Sequence, residues 1–262
     1  MKRTGARLGQ HFLKNPHYAE VLTREAKITS EDIVLEIGPG EGMLTRELLK
    51  VAKLVIAVEK DEALAEKLNA TLKDEIDAGK LKIISGDIRD IEPEKIGLEA
   101  DRYILAANIP YYITGELLRK FLETTAQPRT IAFLMQKEVA DRILSETESI
   151  LSISVRAYGA PRIAAKVSRG NFNPPPQVDS AILVVTNISK ENFSQVSERD
   201  FFKIVRVGFS AKRKLLANNL STRFEKEKVG CALSVCGIDP NARAENLHVE
   251  SWFRLAKELS GH

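Results

Sequence analysis

Short apolar runs of strand length alternate with helix-period stretches through the first two thirds of the chain. Ile33–Ile37 (IVLEI) reads as a strand that ends in the glycine-rich turn Gly38-Pro39-Gly40-Glu41-Gly42. A helix pattern then runs to about Val51, with Leu44, Leu48 and Leu49 on one side. Leu54–Val58 is a second strand and Asp61–Leu72 a second helix, with Asp61 placed to cap it. Leu81–Ser85, Tyr103–Ala107, Thr130–Met135 and Ile182–Thr186 supply further strands, and Thr114–Glu123 and Gln136–Leu144 the helices between them. Repeated strand–helix units predict an α/β fold with a mostly parallel sheet covered on both faces. Beyond Thr186 the strand signals stop, Ser and Asn cluster over 187–197, and the remainder reads as short amphipathic helices. This pattern predicts a sheet domain over 1–188 and a small helical domain over 189–262.

Composition narrows the class. With 262 residues, 44% hydrophobic and 29% charged, the chain is globular and neither collagen-like nor disordered. Two cysteines, Cys231 and Cys236, are too few for a secreted disulfide framework, and without ligand-spaced histidines they make no metal site. The N-terminus is basic without an apolar segment, and no stretch approaches about 18 uninterrupted apolar residues, so a cytoplasmic protein away from membranes is expected. The net charge of +3 conceals an uneven field. Residues 1–27 carry six Lys/Arg against two Glu, 28–189 carry 20 basic against 25 acidic, and 190–262 carry 13 basic against nine acidic. The densest patch, Phe201–Phe224, holds Lys203, Arg206, Lys212, Arg213, Lys214 and Arg223 with no acid, which points to an anionic partner.

The candidate chemistry begins at the glycine turn. Strand, glycine turn and helix is the geometry in which backbone amides face a ligand held against the chain. The spacing Glu36-x-Gly38-x-Gly40-x-Gly42 is a near miss for the dinucleotide fingerprint G-x-G-x-x-G. Glu59 ends the next strand, 19 residues after Gly40, where a carboxylate can accept both hydroxyls of a ribose. Asp87 follows the third strand and can accept from an adenine amino group. Three sites at the carboxyl ends of consecutive strands converge on one crevice and point to a nucleoside cofactor.

The fourth sheet strand runs into Ala107-Asn108-Ile109-Pro110-Tyr111-Tyr112. Asn-x-Pro-Tyr suits the aiming of a planar exocyclic amine at an electrophilic methyl group. An adenine amino nitrogen is a poor nucleophile because its lone pair is delocalised into the ring. Acceptors on Asn108 and on the neighbouring backbone carbonyl can hold its two hydrogens while the nitrogen becomes tetrahedral, which is transition-state stabilisation by fixed dipoles. Tyr111 would stack on the flipped base. Tyr112 and Trp252 read as packing residues, and His17, His248 and His262 form no constellation with acids or cysteines.

Five segments in order resemble the KsgA-type family of small-subunit rRNA adenine N6,N6-dimethyltransferases: Gly9-Gln10-His11-Phe12-Leu13, Glu36–Gly42, Asn108–Tyr111, Phe172–Ala181 and Lys214–Leu220. The resemblance implies a Rossmann-like S-adenosylmethionine-dependent methyltransferase domain with a helical appendage. It implies S-adenosyl-L-methionine as cofactor, held by His11, Leu13, Gly38, Gly40, Glu59, Asp87 and Asn108, with His11 standing where many relatives have Asn. It implies methyl transfer to two adjacent adenosines near the 3′ end of small-subunit rRNA, with Asn108 and Tyr111 at the target base and Phe172 as the aromatic on the base's second face. Lys212, Arg213, Lys214 and Asn218 would then hold the rRNA of a pre-30S-type particle, the enzyme acting as a monomer without metal. The rival readings are a large-subunit rRNA adenine methylase of the macrolide-resistance type and a non-catalytic nucleic-acid-binding relative. The VDSA segment and the basic K-x-L-x-NNL helix favour the small-subunit enzyme over the first, and intact Glu59, Asp87, Asn108 and Tyr111 favour catalysis over the second.

Overall fold

The computed structural model describes residues 11–261, so Gly9, Gln10, the basic residues before them and His262 lie outside the described residues. The first elements are β1 (Phe12–Leu13), α1 (Pro16–Glu25), β2 (Ile33–Ile37), α2 (Met43–Leu49), β3 (Leu54–Glu59), α3 (Glu62–Thr71), α4 (Lys73–Asp77) and β4 (Leu81–Ser85). There follow β5 (Tyr103–Asn108), α5 (Thr114–Glu123), β6 (Thr130–Gln136), α6 (Lys137–Leu144), α7 (Ile150–Arg156), β7 (Ala160–Val167), β8 (Phe172–Asn173) and β9 (Ser180–Thr186). The chain ends in α8 (Glu198–Gly208), α9 (Leu216–Leu220), α10 (Lys226–Val235) and α11 (Val249–Ser260).

Seven strands make one sheet in the order β4-β3-β2-β5-β6-β9-β7, and β1 pairs with β8 in a separate antiparallel ribbon. The five strands from β4 to β6 are parallel, while β9 runs antiparallel to β6 and to β7. Tyr103 to Ala107 of β5 are all 0% exposed, and because successive strand residues face opposite sides, both faces of the sheet are covered. The strand order diverges at β2, with β3 on one side and β5 on the other, which opens a crevice at the carboxyl ends of these strands.

The parallel strands match the apolar runs, and Asp61 caps α3 through its carboxylate, which accepts from Ala63 N at 3.0 Å and Leu64 N at 3.2 Å. β7 gives no such run. It is an edge strand of half-exposed residues with Pro161 near its start and a bulge between Ile163 and Ala165, features tolerated where one side needs no partner. The β1–β8 ribbon is too short to show a period, yet it carries Phe12, Leu13 and Phe172.

The chain divides into two compact units. The first comprises the described residues up to Asp141 together with Ala160–Ile188 and contains the sheet. The second comprises Arg142–Gly159 and the residues from Ser189 onward. The sequence reading places 142–159 in the sheet domain; in the structure α7 packs in the second unit. There Tyr158, Phe193, Phe201, Phe202 and Phe253 form one aromatic cluster, with Phe201 and Phe253 stacked at 4.2 Å. Glu148, 3% exposed, pairs with Arg156 inside the same unit. Trp252 is fully buried there, as read from sequence. No helix among the described residues is long and apolar enough to cross a membrane.

Candidate active site

The glycine turn leaves β2 with Gly38 N donating to Val58 O at 2.9 Å, which ties the turn to β3. Gly40 has φ +57°, and a Cβ there would stand 2.8 Å from the Phe12 ring, so only glycine fits. Apart from its chain neighbours, no atom among the described residues lies within 4 Å of where a Gly38 Cβ would stand: that space is the crevice itself. Three contiguous compartments meet at Gly38.

The first compartment holds Glu59, Asp87, Ile88, Pro110 and Tyr112. Glu59 is 2% exposed, and its two oxygens accept from Gly40 N at 3.0 Å and Asp61 N at 2.9 Å. Each carboxylate oxygen has a second acceptor site, so Glu59 can still take hydroxyl hydrogens while bracing the glycine turn. Asp87 is engaged from within the chain: Arg89 Nη2 donates to it at 2.6 Å and Arg89 Nε at 3.0 and 3.1 Å, and Lys60 Nζ lies 3.0 Å away. The Arg89 hydrogen bonds, with Lys60 adding, hold the Asp87 carboxyl far below the usual carboxylate range. An acceptor role for Asp87 therefore means sharing it with Arg89 and Lys60. Tyr112 is 66% exposed, which corrects its reading as a packing residue.

The second compartment is lined by Gly38, Gly40, Asn108, Pro110, Tyr111 and His11. Asn108 Nδ2 donates to the His11 backbone carbonyl at 3.0 Å. A carbonyl can only accept, so the amide orientation is settled and Oδ1 is the atom left for a ligand. The Tyr111 hydroxyl lies 2.8 Å from Ser180 Oγ, and burial pushes its pKa up. His11 stacks on Tyr111 with ring centroids 5.7 Å apart, and its Nδ1 donates to Pro174 O at 2.8 Å. Phe172 is not the ring that meets Tyr111. It is 1% exposed and packs in the apolar core, paired through β8 with Leu13, because the ribbon turns its side chain inward. In this structure Phe172 lies in the core, and the ring stacked on Tyr111 is that of His11. Leu13 is itself 8% exposed and borders the third compartment.

Glu36 borders that third compartment together with Gly38, Gly40 and Asn108. It is 1% exposed, and its Oε2 has no hydrogen-bond partner among the described residues. Burial, with the nearby Glu59 charge adding, pushes its pKa up to about 8. Sequence reading treated Glu36 as a motif position without a role. The available signal was an acid inside an otherwise apolar central strand.

In the second unit Lys212, Arg213, Lys214 and Asn218 are all exposed. The three basic residues sit on the turn before α9, not on a helix as the K-x-L-x-NNL pattern suggests. Asn219 explains the turn: 2% exposed, its Nδ2 donates to Gly208 O at 2.6 Å and Ala211 O at 3.1 Å. Lys212 Nζ lies 3.7 Å from Glu245, a surface pair that is readily exchanged. No group of three or more His, Cys, Asp or Glu that could hold a metal ion occurs among the described residues.

A sequence profile described as Ribosomal RNA adenine dimethylase matches residues 1–260. A protein of Dehalococcoides mccartyi named Ribosomal RNA small subunit methyltransferase A is 40% identical over 259 residues, covering 97% of this chain and 88% of that protein. A protein of the same name from Clostridium botulinum is 35% identical and covers 95% of this chain and 91% of its own length. Among solved structures, a dimethyladenosine transferase from Plasmodium falciparum superposes with TM-score 0.76 at 28% identity, covering 94% of this chain and 96% of that one. The 23S rRNA methyltransferase ErmE superposes with TM-score 0.75 at 25% identity, covering 95% and 99%.

Proposed function

The chain belongs to the ribosomal RNA adenine dimethylase family, and from that premise we propose that it transfers methyl groups from S-adenosylmethionine to the N6 atoms of two adjacent adenosines near the 3′ end of small-subunit rRNA in a pre-30S-type particle. The observation that carries the reading is the Asn108 amide, whose nitrogen is spent on His11, which leaves its oxygen as the acceptor on a residue lining the compartment next to the glycine turn.

The residues present fit the cofactor. Glu59 offers acceptors for ribose hydroxyls, Asp87 borders the same compartment, and the empty space over Gly38 admits a ligand against the backbone. Glu36, with its unpartnered Oε2, borders the third compartment, where a cationic amino-acid group would meet a buried carboxyl and favour its charged form. S-adenosylmethionine supplies an electrophilic methyl group when bound. The chain's own task is to present the amine. Asn108 Oδ1 takes one amino hydrogen and holds the nitrogen in place. Tyr111 offers a ring face to the base and is kept from rotating by the Ser180 hydroxyl and by His11. Fixed acceptors of this kind act more strongly as the amine gains positive character, so they lower the barrier without a strong base.

Backbone likeness does not separate small-subunit from large-subunit substrates, since ErmE and the Plasmodium transferase superpose equally well. Sequence does: the 40% identical relatives bear the small-subunit name. The basic turn of the second unit supports phosphate contacts to rRNA. Incubation with labelled S-adenosylmethionine and separated ribosomal subunits lacking the modification tests the assignment. Label is expected on small subunits; label on large subunits alone would overturn it.

A further inference from the structure

Tyr111 and Tyr112 are consecutive residues of one 3₁₀ turn, Tyr111–Ile113, yet their rings serve different compartments. Tyr111 is half-buried and stacked on His11. Tyr112, 66% exposed, borders the compartment of Glu59 and Asp87. A large ring left mostly in water at the lip of a cavity is a surface waiting to be covered. The cavity itself specifies what can cover it. Its two carboxylates accept hydrogens from hydroxyl and amino groups, while Ile88 and Pro110 give apolar wall for a flat ring. Tyr112 is the one aromatic side chain among the described residues that border it.

We propose that Tyr112 closes this compartment over the adenine of the cofactor and is its stacking partner on the solvent side. The inference rests on the reading that S-adenosylmethionine places its nucleoside there. An exposed aromatic beside cations also suits a stretch of single-stranded RNA. The cations here argue for the cofactor instead: Arg89 and Lys60 are both committed to Asp87, and Lys120 Nζ donates to the Arg89 carbonyl at 2.6 Å. The arrangement gives one motif two duties. Its Asn108 and Tyr111 hold the methyl acceptor, and the next residue holds the methyl donor by the far end.

Equilibrium binding of two probes tests this. S-adenosylhomocysteine contains the whole cofactor frame, and 5′-methylthioadenosine keeps the nucleoside but lacks the amino-acid end. Tyr112→Ala is expected to weaken both by the same factor, about tenfold, as for loss of one aromatic stacking contact. Tyr112→Phe, which keeps the ring, should rescue both. Parental affinities for the Ala variant would overturn the proposal. So would a loss confined to S-adenosylhomocysteine, or a loss of RNA affinity with cofactor affinity intact, which would assign the ring to RNA. Failure of the parental protein to bind either probe would refute the reading of the compartment itself.

Discussion

Asn108 and His11 are joined by a hydrogen bond from the Asn108 side-chain amide to the His11 carbonyl, 3.0 Å long and spanning 97 residues of sequence. The segment before β1 thereby orients the acceptor at the end of β5. It also carries the ring that stacks on Tyr111. Two contacts between chain segments far apart in sequence thus shape the compartment to which the proposed function assigns the methyl acceptor.

Removing that oxygen should stop chemistry without releasing substrate. Asn108→Ala is expected to lower single-turnover methyl transfer by at least about 100-fold, the scale of losing one fixed dipole at a reacting centre, with rRNA affinity within a factor of about two of the parent. A variant retaining near-parental turnover would remove Asn108 from the proposed role.

Glu59 braces the glycine turn and, in the proposed function, holds the ribose, so a variant should show both effects. Glu59→Gln puts an amide NH2 against either Gly40 N or Asp61 N, two donors that need an acceptor. Cofactor affinity should fall by about 2 kcal/mol, roughly 30-fold, and the melting temperature of the cofactor-free protein should fall with it. Calorimetry that found one effect without the other would separate ligand contact from loop bracing.

Glu36 makes stability depend on pH in a stated direction. In the folded chain it keeps its proton to about pH 8, whereas the unfolded chain releases it near 4.5. Folding therefore retains a proton that the unfolded chain would lose, so this contribution is whole below about pH 4.5, declines as pH rises and is gone above about 8. Glu36→Gln cannot titrate. Relative to that variant, the cofactor-free parent should lose melting temperature steadily between pH 5 and pH 8.5 in scanning calorimetry. A constant difference across this window would mean that Glu36 is charged throughout.

The basic turn before α9 should act through charge count. Replacing Lys212, Arg213 and Lys214 together by Ala is expected to weaken rRNA binding and flatten its dependence on salt by up to about three phosphate contacts, leaving S-adenosylhomocysteine affinity at the parental value. An unchanged salt slope would place the phosphates elsewhere, even if activity fell.

Much of this was legible from residue order, and the exceptions share a cause. The central parallel strands read directly because burial on both faces demands unbroken apolar runs, as in Tyr103–Ala107. The Asn108–Tyr111 motif is local and needed no tertiary knowledge. The stacking of His11 on Tyr111 was invisible because it relies on Pro174, 163 residues away, to hold the imidazole. Phe172 looked available for a base but is drawn into the core by a two-residue ribbon that no period reveals. Tyr112 looked like core because apolar rings usually are, and only the turn geometry shows it at the lip of the cavity. The basic triad looked helical until Asn219 proved to be folding the preceding residues into a turn.

The most direct measurement is the identity and position of the product. Small-subunit rRNA lacking the modification is treated with the protein and S-adenosylmethionine, digested to nucleosides for mass spectrometry, and mapped in parallel by primer extension. N6,N6-dimethyladenosine at two adjacent positions near the 3′ end is the expected result. N6-monomethyladenosine as the sole product, or dimethylation at any other site, would contradict it.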